Sequence, residues 1–349
     1  MRTARILLNG LGQVGQHFLG LLESQALHLG ARHGLALRLV AAADSGGTVV
    51  DAAGLDPLRL RTHKAARNSV AGLPGGRSGG SLLELLEDVD LVLEAAPTNL
   101  ETGQPGLALV EAALEQGLPV VLASKGPLVV GWPRLSVLSD WRDPERPALR
   151  FSGAVGGGLP SLNMGWRDLA GARIQRVEAV LNLTNQLLLA RMADGLSLEA
   201  AMGEAKAAGV LEADPSLDVD GWDAAAKILI LARSVLGHDA ALPEVVRQGL
   251  GSVPADLPAR LRAEGRRLVF LQTAELQDGR WHLSVGPQAL EAGHPFATLR
   301  PDEAAVRYAS DSLGLTEARW AGSGPLGTAA AMLRDTVEIL GRCHPSRLR

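Results

Sequence analysis

An acid and an amine four residues apart, Asp223 and Lys227, are the first candidates for chemistry in this sequence. On a helix this spacing places both side chains on one face. They close a stretch, residues 212–227, that holds five carboxylates and one amine and precedes the apolar run ILILARSVL. An ordinary solvated pair is the alternative, but the carboxylate-rich turn before it and the apolar helix after it favour a pocket.

A glycine motif near the N-terminus could place a redox cofactor in the same protein. The sequence ARILLNGLGQVGQHFLGLL is an apolar strand, a glycine turn and an amphipathic helix, with Gly10, Gly12 and Gly15 in the pattern G-x-G-x-x-G. Gly10 permits the tight turn, Gly12 lets the backbone approach a pyrophosphate, and Gly15 permits close helix–strand packing. Gln13 and Val14 open the helix, whose N–H groups face the phosphates. A glycine turn without a ligand is the weaker alternative.

Asp44 ends a second strand, LALRLVAAAD, where folds of this kind bind the ribose. An acid there favours NAD because it bonds to the ribose 2′-hydroxyl, whereas Arg59, Arg61 or Lys64 could hold a 2′-phosphate. Asp44 also suits the start of a turn before SGG. The gap from Gly15 is longer than usual, which a longer first helix or a loop would absorb. The choice between NAD and NADP therefore stays open.

Two further strands, in VDLVLEAAPTN and LPVVLASKGPL, flank the helix GQPGLALVEAALEQG. Such alternation implies a parallel sheet, whose ligands lie at the carboxyl ends of the strands. The polar residues at those ends are Thr98, Asn99, Ser124 and Lys125. A lone lysine in a loop is usually solvated, but one directly after a buried strand is a better ligand candidate. We therefore predict a Rossmann-type, doubly wound α/β domain over residues 1–150.

The second half changes to strands with helices beside them. IQRVEAVLNLTN, LVFLQTAEL, WHLSVGPQAL and AAVRYASD read as strands, and LSLEAAMGEAKAAG reads as a helix with Ser197 as its N-cap and Gly209 at its end. We predict an α+β catalytic and dimerisation domain over residues 151–315. Residues 316–349 are predicted to form a C-terminal helix that packs back on the first domain.

Composition excludes several classes of protein. The chain of 349 residues suits two domains, and a net charge of −4 without a basic stripe argues against a nucleic-acid partner. A single cysteine, Cys343, excludes an internal disulfide and a multi-cysteine metal site. The N-terminus enters a strand directly, and no run of eighteen apolar residues is present, so we expect neither a signal peptide nor a membrane partner. A cytoplasmic location is predicted.

Blocks along nearly the whole chain resemble the homoserine dehydrogenase family. They are GLGQVG, LEAAPTNLETGQP, ASKGPL, AVGGGLP, ADGLSLEAAMGEAKAAGVLEADPSLDVDGWDAAAK and GSGPLGTAAAMLRD. The last third of the long block is the most specific. The family oxidises L-homoserine reversibly to L-aspartate 4-semialdehyde with NAD(P), on the branch that leads to threonine, methionine and isoleucine. Because its members form dimers, the resemblance also implies a homodimer.

The resemblance implies a role for each residue of the opening stretch. Glu212 would bind the substrate ammonium, Asp223 would orient the substrate, and Lys227 would be the general acid/base. The other residues that it implies at the substrate or the cofactor are Asp218, Lys125, Gly209 and Gly322. The chemistry agrees, because hydride leaves the alcohol carbon while a proton leaves the oxygen. A lysine suits that step where burial or a second cation, such as Lys125, brings an ammonium pKa towards neutrality.

Two departures from the family pattern matter. Where the family has a glutamate that helps to hold a sodium ion, this chain has Ser152 in FSGAVGGG, and a hydroxyl carries no charge. The carbonyls of Val155 and Gly157 remain as candidate ligands of a weakly held Na⁺. The family's LNGTTNYIL reads LNLTNQLLL here, so Leu183 replaces a glycine in a predicted loop at the substrate pocket. No segment follows that resembles the regulatory domain of some relatives, so threonine feedback through such a domain is not expected.

Two other functions remain open at this stage. The altered LNLTNQ segment is compatible with a related oxidoreductase that acts on another small amino alcohol or semialdehyde. A nucleotide-binding sensor without turnover is the second alternative. It is disfavoured because a sensor has no need of a proton-transfer group such as Lys227 beside Glu212 and Asp223.

Overall fold

The computed structural model describes residues 1–139, 146–209, 211, 215–322 and 324–342. The chain divides into two compact units. The first unit comprises Met1–Gly158 and Gly324–Arg349, and the second comprises Leu159–Ser323. The sequence had suggested boundaries at 150/151 and 315/316. The structure places these boundaries at 158/159 and 323/324. Ser152 and Gly157 contact the last helix, which belongs to the first unit, and the last strand of the second unit extends to Ala321.

The strands are β1 (Arg2–Asn9), β2 (Leu35–Asp44), β3 (Gly47–Val50), β4 (Gly76–Ser78), β5 (Leu91–Glu94), β6 (Val120–Leu122), β7 (Leu149–Arg150), β8 (Ile174–Val180), β9 (Val246–Arg247), β10 (Arg267–Gln277), β11 (Arg280–Leu290), β12 (Glu303–Ser310) and β13 (Gly314–Ala321). The α-helices are α1 (Gln13–Ser24), α2 (Ala26–His33), α3 (Pro57–Arg67), α4 (Gly106–Glu115), α5 (Gly126–Val130), α6 (Trp132–Leu138), α7 (Ser161–Asn163), α8 (Leu183–Ala193), α9 (Leu198–Ala207), α10 (Ser216–Val219), α11 (Trp222–Leu231), α12 (Leu257–Ala263) and α13 (Pro325–Arg342).

Within the described residues, seven strands of the first unit form one sheet in the order β4-β3-β2-β1-β5-β6-β7. The strands from β2 to β7 in this order run parallel, while β3 and β4 add an antiparallel edge. The predicted α/β class with a Rossmann-type parallel sheet is therefore confirmed. Two helices, α1 and α2, occupy the long gap between the glycine motif and β2.

The last helix completes the core of the first unit. Met332, Leu333 and Leu340 of α13 share one buried cluster with Ile6 of β1 and Phe18 of α1. Burying side chains of this size stabilises the unit by roughly 1.5–3 kcal/mol each relative to leaving them exposed. A chain segment distant in sequence thus covers the same face of the sheet as the first helix.

The second unit is built on a sheet in the order β13-β12-β8-β10-β11-β9, as far as the described residues show. Its pairs are antiparallel except for β9 with β11. Helix α11 is almost wholly apolar and buried from Ala224 onwards, apart from Lys227, and it contacts β10 and β11. The α+β organisation predicted from the sequence is what the structure contains, with β13 as an additional strand where a helical segment was expected.

One predicted strand is too long. IQRVEAVLNLTN was expected to be extended throughout, but β8 ends at Val180 and α8 begins at Leu183. The change occurs at Asn182, whose side-chain oxygen accepts a hydrogen bond from the backbone N–H of Asn185 and caps the helix. The LNLTNQ segment is therefore a helix start and not a loop. Of the described helices, none has the length and apolar content needed to cross a membrane.

Candidate nucleotide site and candidate active site

The glycine motif forms the tight turn between β1 and α1. Gly10 has φ +96°, and a Cβ there would lie 2.3 Å from the carbonyl carbon of Ala95. A Cβ on Gly15 would lie 2.0 Å from the carbonyl oxygen of Gly10. At Gly12, by contrast, a Cβ would meet no described atom within 4 Å. The first and third glycines are thus required by packing, and the second leaves open space.

The open space at Gly12 lies at the N-terminus of α1. Among the described residues, no side chain caps that terminus, and its first turn carries no acid. Gln13 and Val14 are the first residues of the helix, so their N–H groups lie where a helix leaves its donors without intrahelical partners. This combination of an uncapped helix end and a residue without Cβ fits a pyrophosphate.

Asp44 lies at the predicted strand end, but its carboxylate is engaged within the protein. It accepts hydrogen bonds from Lys64 Nζ at 2.7 Å and from the backbone N–H groups of Gly46, Gly47 and Val70. Its side chain is only 4% exposed. The geometry matches the turn-forming alternative, and Lys64 is held against this acid. The Asp44 carboxylate and the Lys64 ammonium are therefore bound to each other and not open towards a ribose.

A buried acid that the sequence reasoning missed, Glu94, joins three strand ends of the first sheet. Its carboxylate accepts hydrogen bonds from Asn9 Nδ2 at 2.6 Å, from Ala96 N at 2.8 Å and from Ser124 Oγ at 3.1 Å. Burial raises the pKa of Glu94 to about 7, although these hydrogen bonds oppose the rise. The available signal was a glutamate at the end of the apolar run LVLE.

This pKa gives a test of stability. The pKa of Glu94 is about 7 in the folded protein and 4.5 in the unfolded chain. The contribution of protonated Glu94 to stability is therefore complete below pH 4.5 and is lost as the pH rises through 7. Glu94→Gln has no such dependence. We expect wild type to lose about 3 kcal/mol of unfolding free energy relative to the variant between pH 4.5 and pH 8. Urea unfolding at both pH values measures it, and a constant difference would contradict it.

The remaining predicted cofactor residues of the first unit lie in the two loops after β5 and β6. Thr98 Oγ1 accepts a hydrogen bond from the backbone N–H of Lys125 at 3.2 Å, which ties these loops together. The side-chain oxygen of Asn99 accepts from the N–H groups of Glu101 and Thr102 within its own turn. Lys125 immediately precedes α5, as expected for a lysine directly after a buried strand.

In the second unit, Asp223 and Lys227 form an ion pair of 2.6 Å on one face of α11. Their side chains are only 16% and 14% exposed, so the pair is not an ordinary solvated surface pair. Lys227 Nζ also donates to the carbonyl oxygen of Leu181 at 2.7 Å. An amine held between a carboxylate and a carbonyl at the edge of a buried helix is a candidate to donate a proton as the ammonium and to accept one as the neutral amine.

Asp218 joins this pair through a residue that was not predicted, Asn182. The Asn182 Nδ2 donates to Asp218 at 2.7 Å and to Asp223 at 3.0 Å. Burial and the charge of Asp223 raise the pKa of Asp218, while Asn182 and Lys227 act to lower it. We call Asp218, Asp223 and Lys227 the carboxylate–lysine cluster. The sequence held one signal for Asn182: an asparagine before LTNQ is a typical helix N-cap. Its contact with the cluster was not predicted.

The altered LNLTNQ segment has its three amide side chains buried within the second unit. Asn182, Asn185 and Gln186 are each no more than 2% exposed. Asn185 Nδ2 donates to the carbonyl oxygen of Asp218, and Gln186 Nε2 donates to that of Phe270. Leu183, which was expected to fill open space in a loop, is instead the first residue of α8 and is half-buried.

Several other predicted residues have a defined place or fall outside the description. Gly209 has φ +69° and follows α9, whose N-cap is Ser197 as predicted. Gly322 follows β13 and donates its backbone N–H to the carbonyl oxygen of Asp302 at 3.1 Å. Glu212 and Cys343 lie outside the described residues.

The Ser152 side of the predicted sodium site does not fit a cation. Ser152 Oγ donates to Asp335 at 2.6 Å and accepts from the guanidinium of Arg334 at 2.8 Å. The backbone N–H of Ser152 also donates to Asp335, whose pKa burial raises to about 6. A positive guanidinium on the same oxygen opposes a second cation there. Gly157 faces Thr328 of α13, so this segment belongs with the first unit.

The fold and these two sites define a class. The chain is a two-unit α/β protein with a Rossmann-type nucleotide-binding unit and a separate unit that carries a carboxylate–lysine cluster. Comparison with known proteins narrows the class, because the sequence model of the homoserine dehydrogenase family matches residues 160–337. The chain belongs to the homoserine dehydrogenase family.

Individual relatives agree over nearly the whole chain. An NAD(+)-dependent homoserine dehydrogenase of Pseudomonas canavaninivorans is 30% identical over 343 residues, 97% of each chain. A homoserine dehydrogenase of Methanocaldococcus jannaschii is 30% identical over 96% of this chain and 98% of its own. The crystal structure of a homoserine dehydrogenase from Thiobacillus denitrificans superposes with a TM-score of 0.83 at 25% identity, covering 100% of this chain and 79% of its own.

Proposed function

We propose that this protein catalyses the reversible NAD(P)-dependent oxidation of L-homoserine to L-aspartate 4-semialdehyde. The observation that carries the proposal is the shielded Asp223–Lys227 pair on α11, in a chain that belongs to the homoserine dehydrogenase family. The Rossmann-type unit supplies the second requirement, because its uncapped helix end at Gly12 fits the pyrophosphate of a dinucleotide.

In the proposed mechanism, bound NAD(P) would supply the acceptor for the hydride that leaves the alcohol carbon. Lys227 Nζ takes the hydroxyl proton in the oxidative direction and returns it in the reductive direction. Asp223 holds Lys227 in place and accepts a hydrogen bond from the substrate. Glu212 and Asp218 supply negative charge for the substrate ammonium, and a lysine such as Lys125 suits its carboxylate.

The nucleotide contacts are part of the same proposal. Backbone N–H groups of Gln13 and Val14 would bind the pyrophosphate, with Gly12 allowing close approach. The loops that contain Thr98, Asn99 and Ser124, together with Gly209 and Gly322, would line the remainder of the cofactor. Because Asp44 and Lys64 bind each other, the proposal gives neither of them a ribose contact and assigns no preference between NAD and NADP.

A monovalent cation is not part of the mechanism. The carbonyls of Val155 and Gly157 alone offer no formal charge, and Ser152 is committed to Asp335 and Arg334. We expect the same kcat/KM in sodium, potassium and choline chloride at equal ionic strength. A requirement for sodium would contradict this part of the proposal.

The substrate is tested by comparing homoserine with other small amino alcohols. Leu183 at the start of α8 is the observation that favours the second candidate, a related enzyme for a different amino alcohol, because the family has a glycine there. Steady-state kinetics with L-homoserine, L-serine and L-threonine, each with NAD and NADP, should give the highest kcat/KM for homoserine. A higher value for another alcohol would favour the second candidate.

The assembly and the location are proposals as well. We propose a homodimer, supported by the family resemblance and by Leu313 and Leu315, which are 55% and 62% exposed near the start of edge strand β13. Sedimentation equilibrium should give twice the chain mass of 36.5 kDa, and the chain mass itself would contradict the dimer. A cytoplasmic location agrees with the single cysteine and with a role in amino-acid biosynthesis.

A further inference from the structure

The junction between β8 and α8, residues Leu181 and Asn182, contacts all three members of the carboxylate–lysine cluster. Leu181 supplies a carbonyl oxygen to Lys227, and Asn182 supplies an amide to Asp218 and Asp223. The cluster is thus held by a segment that is distant in sequence from α10 and α11 and that carries no charge itself.

The orientation of the Asn182 amide is fixed by the hydrogen-bond partners of its oxygen and of its nitrogen. Its Oδ1 accepts from the backbone N–H of Asn185 at 2.9 Å and caps α8. The Nδ2 must then face the opposite way, where its two hydrogens meet Asp218 and Asp223. Turning the amide over would remove the cap and place an oxygen against two carboxylates. Asn182 is 2% exposed, so water cannot readily replace these bonds.

The backbone of the junction is held equally firmly. The N–H of Leu181 donates to Gln272 Oε1 on β10 at 3.0 Å, and its carbonyl accepts from Lys227. Asp223 Oδ2 receives both Lys227 Nζ at 2.6 Å and Asn182 Nδ2 at 3.0 Å. The lysine and the asparagine therefore share one oxygen atom of the acid, and moving any of the three disturbs the other two.

We propose that Asn182 is a positioning residue of the active site, which separates Asp218 from Asp223 and keeps both as hydrogen-bond acceptors in register with Lys227. The inference rests on the proposed function for its kinetic consequence, but the arrangement of the two carboxylates does not. Without the amide, two acids in one shielded pocket would lose a donor that they share, and their mutual repulsion would increase.

The experiment separates this role from helix capping. Asn182→Ser retains a good N-cap but cannot bridge two carboxylates, whereas Asn182→Ala loses both functions. Ser197→Ala is the matched control, because it removes the side-chain N-cap of α9, whose hydroxyl accepts from Ala200 N. Unfolding of Asn182→Ser should stay cooperative and should cost less stability than Asn182→Ala, because only the serine variant retains the cap.

Two readouts are expected to change in Asn182→Ser. The kcat/KM for homoserine should fall by about 10- to 100-fold, because two hydrogen bonds to charged groups are lost. Carbon-13 NMR of the labelled Asp carboxyls, with Asp218 assigned through Asp218→Asn, should show a pKa of Asp218 that is higher than in wild type, because the hydrogen bond from Asn182 acts to lower it. The direction follows because losing a donor disfavours the ionised carboxylate. Affinity for NAD(P) should be unchanged, because Asn182 is not among the proposed cofactor contacts.

The outcomes distinguish this inference from the proposed function. If wild type does not oxidise homoserine, the proposed function fails, while the carboxyl titrations still test Asn182. Wild-type kinetics together with unchanged carboxyl titrations in Asn182→Ser would overturn the positioning role. An equal fall in kcat/KM in Ser197→Ala would also overturn it, since weakening a helix elsewhere in the second unit would then be enough to cause the loss.

Discussion

Replacing Lys227 with alanine should lower kcat/KM for homoserine oxidation by about 10²- to 10⁴-fold, the range that a positioned acid or base supplies. The reason is geometric, since Lys227 Nζ is the amine held by Asp223 and Leu181 at the edge of the buried helix α11. Initial rates of NAD(P)H formation, with circular dichroism and cofactor binding on the same samples, measure the effect.

Lys227→Gln distinguishes loss of proton transfer from loss of structure. Its amide can still donate to Leu181 or Asp223, but it cannot carry the proton of the reaction. Lys206→Ala provides the matched control, because Lys206 is an exposed lysine on helix α9 of the same unit. Both Lys227 variants should show this loss and still bind cofactor, and Lys206→Ala should behave as wild type. Appreciable turnover in folded Lys227→Gln would exclude the proton-transfer role.

The second large effect is expected at the glycine motif, where alanine should act differently at neighbouring positions. Gly15→Ala places a Cβ 2.0 Å from the carbonyl oxygen of Gly10, so the turn must shift and the first unit should lose roughly 1–3 kcal/mol or more. Gly12→Ala meets no described atom within 4 Å, and its φ of −72° suits any residue. It should therefore retain stability while weakening NAD(P) binding by at least about tenfold.

Thermal unfolding and calorimetric titration with NAD and NADP measure these two effects separately. Gly203→Ala, in the middle of α9 with no described atom within 4 Å of a Cβ, controls for alanine itself and should leave cofactor affinity unchanged. Gly12→Ala with wild-type affinity for both cofactors would show that the pyrophosphate does not approach this backbone.

The sequence predicted local features well where one residue type has few alternatives. The G-x-G-x-x-G pattern identified the β1–α1 turn, and the spacing of Asp223 and Lys227 predicted their shared face. The strand predicted from alternating apolar and polar residues was too long. The alternation of IQRVEAV continues into LNLTN, although β8 ends at Val180 and α8 begins at Leu183. The cap that ends the extended segment depends on a backbone N–H three residues later, which a period-two pattern does not register.

Residues that act through distant partners were the hardest to predict. Asp44 looked like a ribose ligand from its position, but Lys64, twenty residues later, is bound to it. Glu94 ends an apolar strand in the sequence, and only the fold brings Asn9 and Ser124 to its carboxylate. Ser152 was interpreted as a weakened cation ligand, whereas Asp335 and Arg334 of α13 occupy its hydroxyl. Each depends on the three-dimensional neighbours of a polar group.

The most direct test of the account is the initial rate of NAD(P)H formation by wild-type protein with L-homoserine and each cofactor. We expect a rate that saturates with homoserine, requires the cofactor and yields L-aspartate 4-semialdehyde as the product. Saturable binding of NAD or NADP with no homoserine-dependent turnover under either cofactor would contradict it and would favour a nucleotide-binding protein without catalysis.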